Sequence, residues 1–246
     1  MERSEYAKLS EVEDEMWWFR GIHANLMTAF RHRVARSPAG GMILDAGCGT
    51  GGLLTKLRRD LPEWTVIGLD ADAGACAAAR EKSRAPVCAG SANGLPFPDR
   101  SLAAIFSADV LCHRNVEDMT ALRDFHRCLA EGGILVLNLP AYSWLLSAHD
   151  RAVHNVRRYD RRALRRMLES AGFAKIRATY WNTILFPLMV VRRMVLGSPE
   201  DTSDVKRFPG VLDGAFRGVM RIENMLLRHG VSLPFGGSIL ATAVKP

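Results

Sequence analysis

The chain predicts an α/β fold, a doubly wound sheet with helices on both faces, and three observations carry that expectation. Short apolar runs alternate with helical patterns along most of the 246 residues, the order that builds a parallel sheet from crossover units. The first run, Met42-Ile43-Leu44-Asp45-Ala46, enters a glycine-rich turn, Gly47-Cys48-Gly49-Thr50-Gly51-Gly52. The second run, Val66-Ile67-Gly68-Leu69-Asp70, closes on an acid.

Each element has a local reason. Strand 42–45 is a short apolar run of the kind buried on both faces. The glycines after it permit a sharp turn and a bare backbone against a ligand, and the N–H groups opening helix 51–60 favour an electron-rich group there. Pro62 closes that helix. Strand 65–69 leads to an alanine-rich helix over 72–83, and a short strand at 87–89 gives way to the turn-rich stretch Gly90 to Asp99. Strand 102–108, a helix over about 116–130, the turn Glu131-Gly132-Gly133 and strand 134–138 follow. Helix 161–170 and strands 173–180 and 238–244 bring the strand total to seven.

The start of the chain reads as helical over 3–36, as two helices, with the aromatic cluster Met16-Trp17-Trp18-Phe19 between an acidic stretch and an amphipathic run. That cluster either packs the segment onto the body or closes over a ligand and excludes water. Ser37 to Gly41 marks the break into the domain proper.

Composition limits the function classes. With 48% hydrophobic and 24% charged residues the chain reads as globular and soluble. Five scattered cysteines without a Cys-x-x-Cys pair indicate a reducing compartment, hence a cytoplasmic protein, and no structural zinc. The first fifteen residues are rich in charge, unlike a secretory signal, and no apolar run is long enough to span a bilayer. The net charge of +7 is concentrated between Arg151 and Arg166, so no nucleic-acid-binding surface is expected.

The glycine spacing alone also fits a dinucleotide loop. Asp45 before the first glycine and Asp70 after the second strand sharpen it. Together they resemble motif I and the following acidic motif of the class I S-adenosylmethionine-dependent methyltransferases. The resemblance covers roughly residues 40–140 and implies a Rossmann-like seven-stranded sheet with the last strand antiparallel, and S-adenosylmethionine as cofactor. It implies that Gly47, Gly49 and Gly51 hold the methionine part, with Asp45 orienting the loop or the cofactor's amine. Asp70, beside Ala71, would take the ribose hydroxyls. Ser91 and Ala92 stand where family members carry an acid and a small residue at the adenine, and Asp109 completes the cofactor set. Cys112-His113 stands where members often have Glu-His.

After Pro140 the pattern becomes particular. His149-Asp150, His154 and Arg157-Arg158-Tyr159, with the Trp-rich start, resemble a subgroup of small bacterial methyltransferases. A histidine of this loop, His149 or His154, would serve as proton acceptor, or would simply bond backbone. Arg157 and Arg158 would clamp a carboxylate or phosphate of the substrate, or pair with acids of the sheet. Trp18, His113, Tyr142 and Tyr159 complete the expected substrate set. Residues 1–40 thus read as a helical cap and 41–246 as a methyltransferase domain, with a lid over 141–160 and a helical insertion over 182–237.

That insertion has room for two helices around a polar stretch, Gly197 to Pro209. It would serve as extra core, a dimer contact, or an apolar, arginine-edged wall for a lipid-like acceptor or a peripheral membrane contact. The function expected is methyl transfer to an oxygen or nitrogen of a small molecule. A nicotinamide-dependent oxidoreductase and a non-catalytic cofactor-binding module are the rival readings. The sequence leaves monomer or homodimer open.

Overall fold

The computed structural model describes residues 12–34, 40–194 and 209–246. Seven strands form one sheet: β1 (Met42–Ala46), β2 (Thr65–Asp70), β3 (Val87–Ala89), β4 (Leu102–Ala108), β5 (Leu129–Pro140), β6 (Ala174–Trp181) and β7 (Ser238–Val244). Their order is β3-β2-β1-β4-β5-β7-β6. The first five pair in parallel, and β7 runs antiparallel between β5 and β6. The order reverses at β1 and β4, so a crevice opens at the carboxyl ends of those two strands.

Side-chain alternation builds a core on each face. Ile43, Phe106, Val136 and Leu240 point to one face, where α1 (Trp17–Val34), α2 (Gly52–Asp60) and α3 (Ala73–Ser83) lie. Leu44, Ile105, Leu135 and Ala241 point to the other, against α4 (Asp118–Cys128) and α6 (Arg161–Ser170). A short α5 (Ala148–Ala152) lies in the lid segment, and α7 (Phe186–Met194) and α8 (Gly210–Arg228) form the insertion.

Several boundaries differ from the sequence reading. Val12 is helical, a turn at 13–15 follows, and the aromatic cluster opens α1; residues 3–11 and 35–36 of the helical expectation lie outside the described residues, as does most of 197–209 and of the 37–41 break. Strand β5 begins directly at Leu129, because Gly132, at φ +75°, turns the chain without ending its pairing. The insertion helix α8 packs against α1. The Asp213 carboxylate accepts the Trp17 N–H (3.1 Å) at the start of α1, and Asn224 donates to Asn25 (2.9 Å) and Thr28 (3.1 Å) between the two helices. The cap and the insertion are therefore one layer. All five cysteines are free thiols, and no described helix is long and apolar enough to cross a membrane.

Candidate active site

A cavity of about 910 Å³ runs along the carboxyl ends of the strands. That is near the upper end for a small-molecule site, which is about 300–1,000 Å³, so it has room for a cofactor and an acceptor. One half is built from the glycine loop. Gly47, Gly49 and Gly51 all have positive φ (+83°, +52° and +92°). The N–H groups of Gly47 and Cys48 donate to the Leu69 carbonyl (2.7 and 2.9 Å), and Gly49 donates to Asp70 Oδ2 (2.9 Å). A Cβ on Gly47 would overlap Val110, the residue two beyond β4. Gly47 and Gly49 line the cavity, but Gly51 caps α2 and faces Ala79 of α3, so its place in the turn comes from helix packing.

Asp45, Asp70 and Glu13 face this half, with Asp72 beside Asp70 capping α3. Asp45 is 1% exposed and its Oδ2 has no hydrogen-bond partner among the described residues. Burial, and then the neighbouring charges of Asp70 and Glu13, push its carboxyl up to about 8. Asp70 accepts N–H groups from Gly49 and Asp72, which fixes its rotamer. Glu13 accepts from Thr50 (2.7 Å) and pairs with Lys82, fastening the segment before α1 to the glycine loop. These acids around an unpartnered buried oxygen favour a cationic ligand and oppose the pyrophosphate of a dinucleotide. Ser91 and Ala92 line the same half, with Ala71 beside Asp70.

The other half begins at Asp109, which has a positive φ of +55° and lines the cavity. Its backbone N–H donates to the Asn138 carbonyl (2.9 Å) and its Oδ1 accepts from Asn138 Nδ2 (3.0 Å). Asn138 Oδ1 accepts from Trp181 Nε1 (2.7 Å), and Trp181 stacks on Trp18 at 4.9 Å. Because an indole N–H can only donate, the orientation of the Asn138 amide is fixed. Burial pushes Asp109 up to about 7, against the Asn138 hydrogen bond and the charge of Arg158, which lower it.

The lid brings only part of its expected set to the cavity. Arg158 and Asp150, both buried, form a forked ion pair (2.8–3.0 Å) on the wall, where the Ser147 hydroxyl also bonds Asp150. Charge and hydrogen bonds from Arg158 hold the Asp150 carboxyl below its ordinary range despite burial. Arg158 is thus engaged by its own loop. Arg157 donates to the carbonyls of Leu111, His113 and Val116 and holds that turn, away from the cavity lining. Tyr159, 6% exposed, donates to the Leu111 carbonyl, and Tyr142 stacks on Tyr180 and Trp144; neither lines the cavity. Arg157, Tyr142 and Tyr159, expected at the substrate, thus stand off the cavity wall: Arg157 and Tyr159 are bonded at the seam to β4, and the Tyr142 ring stacks on Tyr180 of β6.

Of the two histidines, His149 lines the cavity and His154 does not; His154 sits with positive φ (+61°) beside the ring of His113. His113 does line the cavity, and burial pushes its imidazole down to about 4, so it is neutral at pH 7. Residues that the sequence did not single out also converge here. Glu13 and His23 come from the cap, and Asn182 from the end of β6. Asn182 is 2% exposed, with Oδ1 unpartnered among the described residues. Leu185, Leu188 and Met189 supply an apolar wall, with Arg192 and Arg193 at its end. None of these has a local motif, although the apolar-then-Arg-Arg pattern of the insertion gave a partial signal.

The sheet order, the reversal of β7 and the glycine-loop crevice define the class I, Rossmann-like methyltransferase architecture. Comparisons with known proteins place it further. Residues 43–133 match the family model described as a methyltransferase domain. A malonyl-[acyl-carrier protein] O-methyltransferase of Dechloromonas aromatica is 34% identical over 97 residues, 39% of this chain and 35% of that protein. A SAM-dependent methyltransferase structure from Thermotoga maritima superposes with a TM-score of 0.61 at 17% identity, covering 99% of this chain and 96% of the other. Geranyl diphosphate C-methyltransferase of Streptomyces coelicolor gives 0.63 at 16% identity, covering 91% and 80%. The curated matches span 34–41% of those relatives' length. Residues 43–133 thus match a methyltransferase domain, and a geranyl diphosphate methyltransferase of the same fold was solved in complex with S-adenosylmethionine. That cofactor is cationic at its amine and sulfonium, which is the charge the carboxylate-lined half favours.

Proposed function

We propose that the protein is an S-adenosylmethionine-dependent methyltransferase acting on an oxygen or nitrogen of a small molecule with an apolar body and an acidic group. The observation that carries this reading is one continuous cavity, acidic at the glycine loop and apolar with an arginine end beneath the insertion. S-adenosylmethionine supplies an electrophilic methyl on its sulfonium and leaves as the neutral thioether. The chain's own residues would do the rest. Gly47 and Gly49 bring backbone close, Asp45 and Asp70 offer carboxylates to the amine and ribose, and Ser91 and Ala92 shape the base site. Trp17 and Trp18 close the cavity and exclude water, so that donor and acceptor are held in line and dry.

Leu188 and Met189 suit an apolar acceptor body, and an acidic end would be met by Arg192 beside Arg193, which also pairs with Asp150 (3.7 Å) and donates to the Leu145 carbonyl (3.1 Å). Geranyl diphosphate and phosphoethanolamine, named for proteins of this fold, both carry an acidic group. Entry of such an acceptor from a membrane surface is compatible with the half-exposed Leu188 and Val191 on α7 and Ile184 just before it.

Thermal unfolding with S-adenosylmethionine, S-adenosylhomocysteine, NADH or NADPH added separately tests the class. At about a hundred times its dissociation constant a ligand stabilises by roughly 2.7 kcal/mol, a rise of several degrees. A rise with the sulfur compounds alone is the expected result. A rise with a nicotinamide alone would replace the reading by a dehydrogenase, and silence from all four by a non-catalytic module. Acceptors are then sought among alkyl and prenyl acids, phosphates and amino acids, by the homocysteine adduct released. Activity confined to purely polar acceptors would exclude the apolar assignment.

A further inference from the structure

The proton acceptor expected from the sequence was a lid histidine, but the best-positioned group lies elsewhere. Asp109 stands just beyond the end of β4, the strand next to β1 on the side away from β2 and β3. The ribose acid, Asp70, and the base-site residues Ser91 and Ala92 follow β2 and β3, so Asp109 is on the opposite flank of the glycine loop. Its neighbour Val110 fills the space over Gly47 that a Cβ would need. Asp109 therefore borders both halves of the cavity.

Its setting is that of a fixed functional group. The left-handed backbone conformation is strained for a non-glycine residue. Backbone and carboxylate are both held by Asn138, which is wholly buried, and Asn138 is set in turn by the wholly buried Trp181. A group held by central strands is placed more precisely than one on a loop, whereas His149 rides on the five-residue α5. Other groups near Asp109 are Arg158 and Asp150 of the lid, of opposite charge, and the Cys112 thiol, which donates to the Asp109 carbonyl (3.1 Å). Burial holds Cys112 well above its ordinary range, so it is neutral.

We infer that Asp109, assigned from sequence to the cofactor set, instead faces the transferring methyl and takes the acceptor's proton. This rests on the methyl-transfer reading above. As the acceptor's lone pair bonds to the methyl carbon, the carbon–sulfur pair returns to sulfur. The O–H or N–H proton passes to the free valence of the Asp109 carboxylate, and solvent later removes it. A carboxyl poised near 7 suits that task at neutral pH. Asn138 is a positioning residue for it.

The test needs no identified acceptor. Sinefungin carries a protonated amine where the cofactor carries its methyl-sulfonium, and S-adenosylhomocysteine carries nothing there. Calorimetry should give at least a tenfold preference for sinefungin over S-adenosylhomocysteine above pH 8, shrinking several-fold towards pH 5.5 as Asp109 is protonated. In Asp109→Asn the preference should fall to within about threefold of unity, with S-adenosylhomocysteine affinity changed less than threefold. His149→Ala should keep the preference. A preference absent from the native protein, independent of pH, or retained in Asp109→Asn overturns the inference while leaving the methyl-transfer reading intact. The pH series on the native protein decides the matter even if the variant does not fold. Binding of neither compound to the native protein would remove the reading and the inference together.

Discussion

The two halves of the cavity are built in different ways. The glycine-loop half comes mostly from one continuous stretch, Asp45 to Asp72, joined by Glu13 and by the turn at 90–92. Its shape follows from glycines at positive φ and from acids at strand ends. The other half is assembled from the cap, the lid, the end of β6 and the insertion, segments far apart in the chain. The first half is a matter of local backbone geometry and tolerates little substitution at its glycines. The second depends on tertiary packing, and most of the polar groups in its lid are occupied in holding the lid together.

The largest effect should come from the glycine loop. Gly47→Val forces a side chain into Val110 at φ +83°. Overpacking and strain together cost several kcal/mol, about 1–3 from each source. Calorimetry should find S-adenosylhomocysteine binding lost by more than about a hundredfold, and unaltered affinity would remove the loop from the cofactor site. Next comes the lid. Arg158→Met removes the forked partner of the buried Asp150 and leaves it only Arg193 at 3.7 Å, at a cost of up to about 3–5 kcal/mol of stability in urea unfolding, with much of it recovered when Asp150→Asn is added. A loss under 1 kcal/mol would mean that Arg158 is available to a substrate after all.

Of similar order is a pH effect at Asp45. Its carboxyl titrates at about 8 in the free folded protein and near 4 when unfolded, so between those values the folded state binds the extra proton. Unfolding stability therefore falls as pH rises from 5 to 8, and Asp45→Asn should flatten that slope. A cationic cofactor reverses the preference and expels the proton. Titrations at pH 7 in buffers of different ionisation heat should register proton release with S-adenosylmethionine, and no release would place its cation away from Asp45. The smallest effect is expected of His154→Ala, within about 0.5 kcal/mol of native stability, since it replaces a partly exposed side chain. Cofactor affinity should not change, and a tenfold fall would bring His154 back to the site.

The contrast explains what the sequence revealed. Asp45, Gly47, Gly49 and Asp70 were legible because their chemistry depends on neighbours in the chain, and the structure places all four on the cavity wall. Gly51 was misleading because a helix cap and a ligand loop both demand positive φ. Arg157, Tyr142 and Tyr159 lie off the cavity wall, which the sequence did not reveal because exposed chemistry and buried packing use the same side chains, and only three-dimensional partners tell them apart. Glu13, Asn138 and Asn182 had no local signal at all.

By itself the sequence determined the alternation of strands and helices, both hydrophobic faces and the cofactor loop. Each is set by side-chain period or by the φ a residue can adopt, both properties of short segments. Only the tertiary structure decided that the cap and the insertion form one layer, that Arg158 is bound to Asp150, and that Asn138 locks Asp109 at the seam of the two halves. Those outcomes depend on contacts between distant segments, and which buried polar groups find a partner is settled only when those segments meet.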